Sequence, residues 1–274
     1  MQKFSLLNHE DSLLPPGKWK LIWNDEFDGT ELDHSKWDFR LSMMGKKHEA
    51  WTNQGVHLDG NSNAVFSLIE ENGKPVSSQL QTGYNFMDEP VVSTKFENDY
   101  LQWNIGKLKK NLFSHCYGYY ECRCRLQQHP EAWWSAFWIQ SPIIGATLDP
   151  AESGSELDIM ECFSLNRIAP HNVFTGGYGL DMKHVKCGGL TGIDQTEFHR
   201  FGMLWDEKGY TFYVDGVETG YISEFVSKRP EFILISTEVK GYRHEDHQPV
   251  KEAFEFVGKD EFLVDYVRVF EREN

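Results

Sequence analysis

The chain has 274 residues, 14% of them aromatic, and carries 42 acidic against 27 basic side chains for a formal charge of −15. That balance argues against a nucleic-acid partner, because phosphate binding needs a basic surface, and no run of 18 apolar residues is present to form a membrane-spanning helix. The 9 Trp, 11 Tyr and 19 Phe, with no Ala-rich or heptad stretch, predict an all-β chain of a length that suits one domain.

Residues 1–18 read as an N-terminal arm ending at Pro15, Pro16 and Gly17, and residues 19–274 as a single continuous domain without repeats or linkers. The opening MQKFSLLNHEDSLLPPG has acids where a signal peptide would have its apolar segment. The expectation is a cytoplasmic protein as the chain stands, or a secreted one whose leader has been removed. Ala64 to Ile69 is the first short apolar run. The clearest strand is YGYYECRCRL, where Tyr120, Cys122, Cys124 and Leu126 alternate with Tyr119, Glu121, Arg123 and Arg125. That period of two predicts one buried face and one polar face. Ala136 to Gln140 and Leu157 to Phe163 follow. YTFYVDGVETGYI holds an Asp215-Gly216 pair suited to a tight hairpin turn. Phe232 to Ile235 and Phe262 to Phe270 complete the set, which together predicts two packed sheets, a sandwich or jelly roll. The five cysteines show no metal spacing and read as buried free thiols.

The segment GSELDIMECF places Glu156, Asp158 and Glu161 within six residues. On a helix they would diverge. On a strand Glu156 and Asp158 share a face, and Glu161 joins them only if a β-bulge absorbs one residue. Glu156 and Glu161 would then lie roughly 13 Å apart at Cα, which leaves their carboxylates ~5 Å apart, a separation that suits a retaining glycosidase. Crowded carboxylates raise at least one pKa, which a general acid requires. A solvated strand face, a Ca²⁺ site and a catalytic trio all remain open on spacing alone. Just upstream, EAWWSAFWIQSP supplies Trp133, Trp134, Phe137 and Trp138, suited either to the core or to stacking on sugar rings.

At this point the sequence resembles family 16 of the glycoside hydrolases, which includes laminarinases, lichenases, agarases, porphyranases and carrageenases. The resemblance spans about residues 19–271. It is carried in order by WNDEFDGTELDHSKW, YGYYECRCRL, AFWIQ, ELDIMECF, YVDG and DYVRVF. It implies a concanavalin A-like jelly roll with a cleft on its concave face and endo-hydrolysis of a polysaccharide with retention. It also implies Glu156 as nucleophile, Asp158 as its assistant and Glu161 as acid/base. Trp133, Trp134, Trp138, Trp51, Glu49 and Glu238 become candidate substrate-binding residues. No cofactor is expected for catalysis, but a structural Ca²⁺ on the convex side would fall at Glu26, the Gly60 carbonyl and Asp265. The sequence departs from many laminarinases, with PAESGSE before the signature, Ser236 and Glu238 in place of Asn and Ala, and Phe174 where several carry a cleft His.

The expected function is therefore a monomeric retaining endo-β-glycanase acting on a polysaccharide or oligosaccharide, most simply a β-1,3- or mixed β-1,3/1,4-glucan. An agarase- or porphyranase-like hydrolase of algal galactans is the alternative within the same chemistry. A non-catalytic carbohydrate-binding jelly roll is the alternative from another class, and a transglycosylase would use the same residues.

Overall fold

The computed structural model describes residues 1–89, 92–95, 102–105 and 108–273. Two antiparallel sheets, one of seven strands and one of eight, carry the fold. In chain order their strands are β1 (Trp19–Asp25), β2 (Asp38–Phe39), β3 (Val56–Leu58), β4 (Ala64–Ser67), β5 (Gln79–Gln81), β6 (Gly118–Arg125), β7 (Trp133–Gln140) and β8 (Glu156–Cys162). There follow β9 (His171–Thr175), β10 (Lys183–Cys187), β11 (Phe198–Asp206), β12 (Gly209–Val214), β13 (Val217–Ile222), β14 (Phe232–Val239) and β15 (Glu261–Arg272). The front sheet is ordered β10-β9-β8-β7-β14-β5-β2. The back sheet is ordered β13-β12-β11-β6-β15-β4-β3, with β1 also paired to β15. The expected all-β sandwich is thus the observed architecture. Among the described residues, α-helix is confined to Pro150–Ser153 and Lys251–Glu255.

Alternation builds the core between the sheets. Tyr120, Cys122 and Cys124 of β6 meet Phe137 and Ile139 of β7, Leu157 of β8 and Ile233 and Ile235 of β14, all fully buried in one cluster. Each such side chain contributes about 1.5–3 kcal/mol by leaving water. The tight turn between β12 and β13 has φ of +48° at Asp215 and +77° at Gly216, the double left-handed geometry that Asp-Gly accommodates.

The outer face of β6 differs from the polar face that alternation predicts. Tyr119 and Glu121 are buried there, because a hairpin of Gln2–Phe4 and Ser12–Leu14 lies over the back sheet. Leu14 and Phe4 pack with Tyr119 and Phe270. Glu121 accepts hydrogen bonds from the Leu13 amide at 3.1 Å and the Tyr266 hydroxyl at 2.8 Å. The five cysteines are free, with Cys122, Cys124 and Cys162 buried and Cys116 and Cys187 half-buried.

Candidate active site

Strand β8 starts from a fixed point. The helical turn Pro150–Ser153 is capped by Asp149, whose side chain accepts from the Ala151 amide, and it ends at Gly154 with φ of +76°. A Cβ on Gly154 would lie 2.3 Å from that of Ser141, so only glycine fits. The next amide, Ser155 N, donates to the buried Glu231 Oε1 at 2.8 Å.

Pairing with β7 shows how the acids come to share a face. Glu156 faces Gln140 and Asp158 faces Trp138, but the next pair is Met160 with Phe137, followed by Glu161 with Ala136. Ile159 is the extra residue of a β-bulge, and Glu161 therefore returns to the side occupied by Asp158. Ile159 and Met160 are both fully buried behind the acids. The Ile159 carbonyl is bonded by His171 Nδ1 at 2.8 Å. The other ring nitrogen meets Thr219 Oγ1 at 2.8 Å, and the ring stacks on Phe212 at 4.3 Å. Burial pushes the His171 pKa down to about 4, so the neutral ring donates to the bulge and accepts from Thr219. The bulge is thereby fastened across the core to β12 and β13.

All three acids line a cleft of about 500 Å³ on the front sheet. Burial is the first influence on each. It raises the pKa of Glu156, while hydrogen bonds from Tyr178 and Gln140 and the charges of Arg40 and Arg243 draw it back. Glu156 Oε2 accepts from the Tyr178 hydroxyl and from Gln140 Nε2, the latter at 3.2 Å. Asp158 is pushed well above the usual carboxylate range by burial and then by Glu161 and Glu156. Burial and Glu156 together raise Glu161 to about 7, and Asn172 Nδ2 donates to its Oε2 at 3.2 Å. Glu156 thus has donors suited to an anion, whereas Glu161 can hold a proton near neutrality.

The remaining candidates divide. Trp134, Trp138 and Glu238 line the cleft. Trp138 Nε1 donates to Ser236 Oγ at 2.9 Å. Arg243 grips Glu238 through Nε and Nη2 at 2.6 and 2.7 Å and lies 5.2 Å from the Trp134 ring. Trp133 is not in the cleft. Adjacent strand residues point to opposite faces, so Trp133 enters the core and donates to Asp260 at 2.9 Å. Trp51 is also buried, stacked on His48 at 4.3 Å and covered by Arg40 at 4.9 Å. Glu49 is exposed and paired with Lys74 at 3.7 Å, away from the cleft. Phe174 sits opposite Glu156 and stacks on His184 at 5.3 Å. Sequence reasoning missed Tyr178, Gln140, Asn172 and Arg40. Period two from Trp138 points to Gln140, but Tyr178 comes from a loop that no periodicity describes.

Of the three groups expected to hold Ca²⁺, the two carboxylates, Glu26 and Asp265, do not fit a cation, which leaves the Gly60 carbonyl without its expected carboxylate partners for the ion. Glu26 receives Arg268 Nε and Nη2 at 2.9 and 2.7 Å, and Asp265 receives Arg123 Nη1 at 2.6 Å. Guanidinium groups already satisfy these carboxylates, whereas Ca²⁺ needs 6–8 free oxygen ligands. Among the described residues no group of three or more His, Cys, Asp or Glu is placed to hold a metal.

Comparison with known proteins places the chain in a family. The model of "Glycosyl hydrolases family 16" matches residues 45–230. The chain is 26% identical over 208 residues to "Glucan endo-1,3-beta-glucosidase A1" of Niallia circulans, covering 72% of this chain and 28% of that protein. It is 26% identical over 203 residues to "Beta-glucanase" of Rhodothermus marinus, covering 72% of this chain and 63% of that one. The chain therefore spans less than two thirds of each of these relatives. In structure it is similar to SCLam, a non-specific endo-beta-1,3(4)-glucanase, with a TM-score of 0.67, 20% identity and coverage of 94% of this chain and 93% of the other. With more than half of its length matched by the family model, the chain belongs to family 16 of the glycosyl hydrolases.

Proposed function

We propose that this protein is a retaining, endo-acting hydrolase of a neutral β-glucan with β-1,3 or mixed β-1,3/1,4 linkages. The observation that carries this reading is the trio of carboxyl groups on one strand face in a cleft, one raised to about 7 and another held by two hydrogen-bond donors. Glu156 attacks the anomeric carbon while Glu161 gives its proton to the departing sugar oxygen. Glu161, now an anion, takes a proton from the water that releases the sugar from Glu156. Asp158, kept neutral between them, can donate a hydrogen bond without adding charge.

Charge in the cleft supports a neutral substrate. Arg40 is paired with Asp88 at 2.7 Å and Arg243 with Glu238 at 2.6 Å. Arg123 and Arg125 lie on the back sheet, paired with Asp265 and Glu261. A sulfated chain would meet the Glu156 carboxylate and no free cation among the described cleft residues. The names of the relatives, a glucan endo-1,3-β-glucosidase and a β-glucanase, point the same way.

The test is reducing-end release from laminarin, mixed-linkage glucan, agarose, porphyran and carrageenan, with Glu156→Ser beside the wild type. Release from the two glucans, abolished in the variant while oligosaccharide binding persists, is expected. Release only from the galactans moves the substrate to that class. Normal activity in the variant removes Glu156 from its role, and binding without turnover in the wild type favours a non-catalytic module.

A further inference from the structure

Tyr178 reaches Glu156 from a loop built for close backbone approach. Gly176 and Gly177 before it have φ of +78° and +74°, and a Cβ on Gly176 would lie 2.3 Å from the Asp181 carbonyl oxygen. Gly177 also packs backbone to backbone on Gly145, where a Cβ would come within 2.6 Å. Three glycines surround one tyrosine, and the effect of their freedom is to lay that phenol into the cleft.

The contacts of the phenol are asymmetric with respect to the carboxylate. Tyr178 donates to Glu156 Oε2. Gln140 Nε2 donates to the same oxygen at 3.2 Å and also to the Tyr178 oxygen. Among the described residues no hydrogen bond reaches Glu156 Oε1.

We propose that Tyr178, oriented by Gln140, is a positioning residue that divides labour between the two oxygens of Glu156, leaving Oε1 to bond the sugar and holding Oε2 so that the glycosyl-enzyme breaks down quickly. This rests on Glu156 being the nucleophile. In the first step an Oε1 lone pair bonds the anomeric carbon, the bond to the leaving oxygen breaks, and the Glu161 proton passes to that oxygen. Oε2 is then the carbonyl oxygen of an ester, still receiving the phenol. In the second step a water oxygen bonds the anomeric carbon and its proton passes to Glu161. The electron pair of the C1–Oε1 bond returns to Glu156. Negative charge reappears on Oε2 at that moment, and a hydrogen bond to a charged acceptor is stronger than one to an ester carbonyl. Tyr178 keeps its proton throughout, since burial and the adjacent Glu156 push its pKa far above the usual phenol value. The phenol therefore favours the second step and restrains the first.

The test is Tyr178→Phe, which keeps the ring and removes the donor, assayed on a dinitrophenyl β-oligoglucoside whose departure needs no proton. The expected result is a fall in kcat of about 10²-fold with KM lower than in the wild type, and a covalent glycosyl-enzyme seen by mass spectrometry after quenching. Unchanged kcat, or a fall in kcat with raised KM and no adduct, overturns the proposal. A second readout needs no substrate: carbon-13 titration of Glu156 in labelled protein, where Tyr178→Phe is expected to raise its pKa. An unmoved titration in a folded variant overturns the proposal. A wild type inactive on all glucans, yet with the titration shifted by the variant, instead removes the glucanase reading and leaves the hold on Oε2 standing.

Discussion

Glu231→Gln tests how the strand of acids is anchored. Glu231 is fully buried, accepts from Ser155 N through Oε1, and has no hydrogen bond to Oε2. Burial raises its pKa from 4.5 to about 8. The folded protein therefore keeps a proton that the unfolded chain releases, and folding takes up that proton between the two values. Stability then falls as pH rises from about 4.5 towards 8 and flattens above it. At about 1.4 kcal/mol for each pH unit, the ceiling on this loss is about 5 kcal/mol. Glutamine keeps an oxygen for Ser155 N and never ionises, so its stability lacks this slope. Urea unfolding of both proteins at pH 5, 6, 7 and 8 isolates the effect, because titrations that do not interact with Glu231 cancel in the difference, Glu156 being the coupled exception. Relative to wild type, the variant is expected to gain about 2–4 kcal/mol between pH 5 and 8. Parallel curves would refute the reasoning, and would mean that Glu231 is ionised in the native protein or reached by water.

Glu161 must be protonated to act as an acid, so its pKa of about 7 predicts that activity falls as pH rises through that value; in Glu161→Gln this basic limb should vanish from the kcat/KM profile. Turnover of the natural polymer should drop about 10²–10⁴-fold, with an activated aryl leaving group partly spared. On the back sheet, Arg268→Ala removes both guanidinium bonds from the buried Glu26, leaving it only Asn24 Nδ2 at 2.9 Å and His9 at 3.7 Å, and is expected to cost about 3–5 kcal/mol by thermal unfolding, whereas a chelator should leave the wild-type midpoint where it is. A midpoint that drops on chelation would restore a metal to this face.

Alternation made the sandwich legible in the sequence, and the same rule was available to separate Trp133 from Trp134 and Trp138, one parity serving the core and the other the cleft. The bulge was legible too, because Glu161 stands at an odd offset from Glu156 and the family resemblance requires all three acids together. Tyr178 was hidden because its placement depends on Gly177 meeting Gly145 from another loop, a contact with no local signature. Burial of Glu121 was hidden for a related reason: a residue on an outer face reads as solvated until the hairpin of residues 2–14 is known to cover it. At Glu26 and Asp265 the carboxylates were visible, but their partners Arg268 and Arg123 are neighbours only across paired strands.

The bulge at Ile159 also bears on how this site tolerates changes in length. A strand counts residues in twos, and Ile159 is the one residue that the count ignores. Removing it would leave Asp158 opposite Trp138, Met160 opposite Phe137 and Glu161 opposite Ala136, the pairs already present. The acids would keep their facing, and the loss would fall on packing beneath them and on His171, whose bond to the bulge carbonyl would have no partner. An insertion or deletion anywhere else between Glu156 and Glu161 would be absorbed only by moving this slack. The segment is thus a place where evolution can change the length of the acid-bearing strand by one residue without changing what the strand presents.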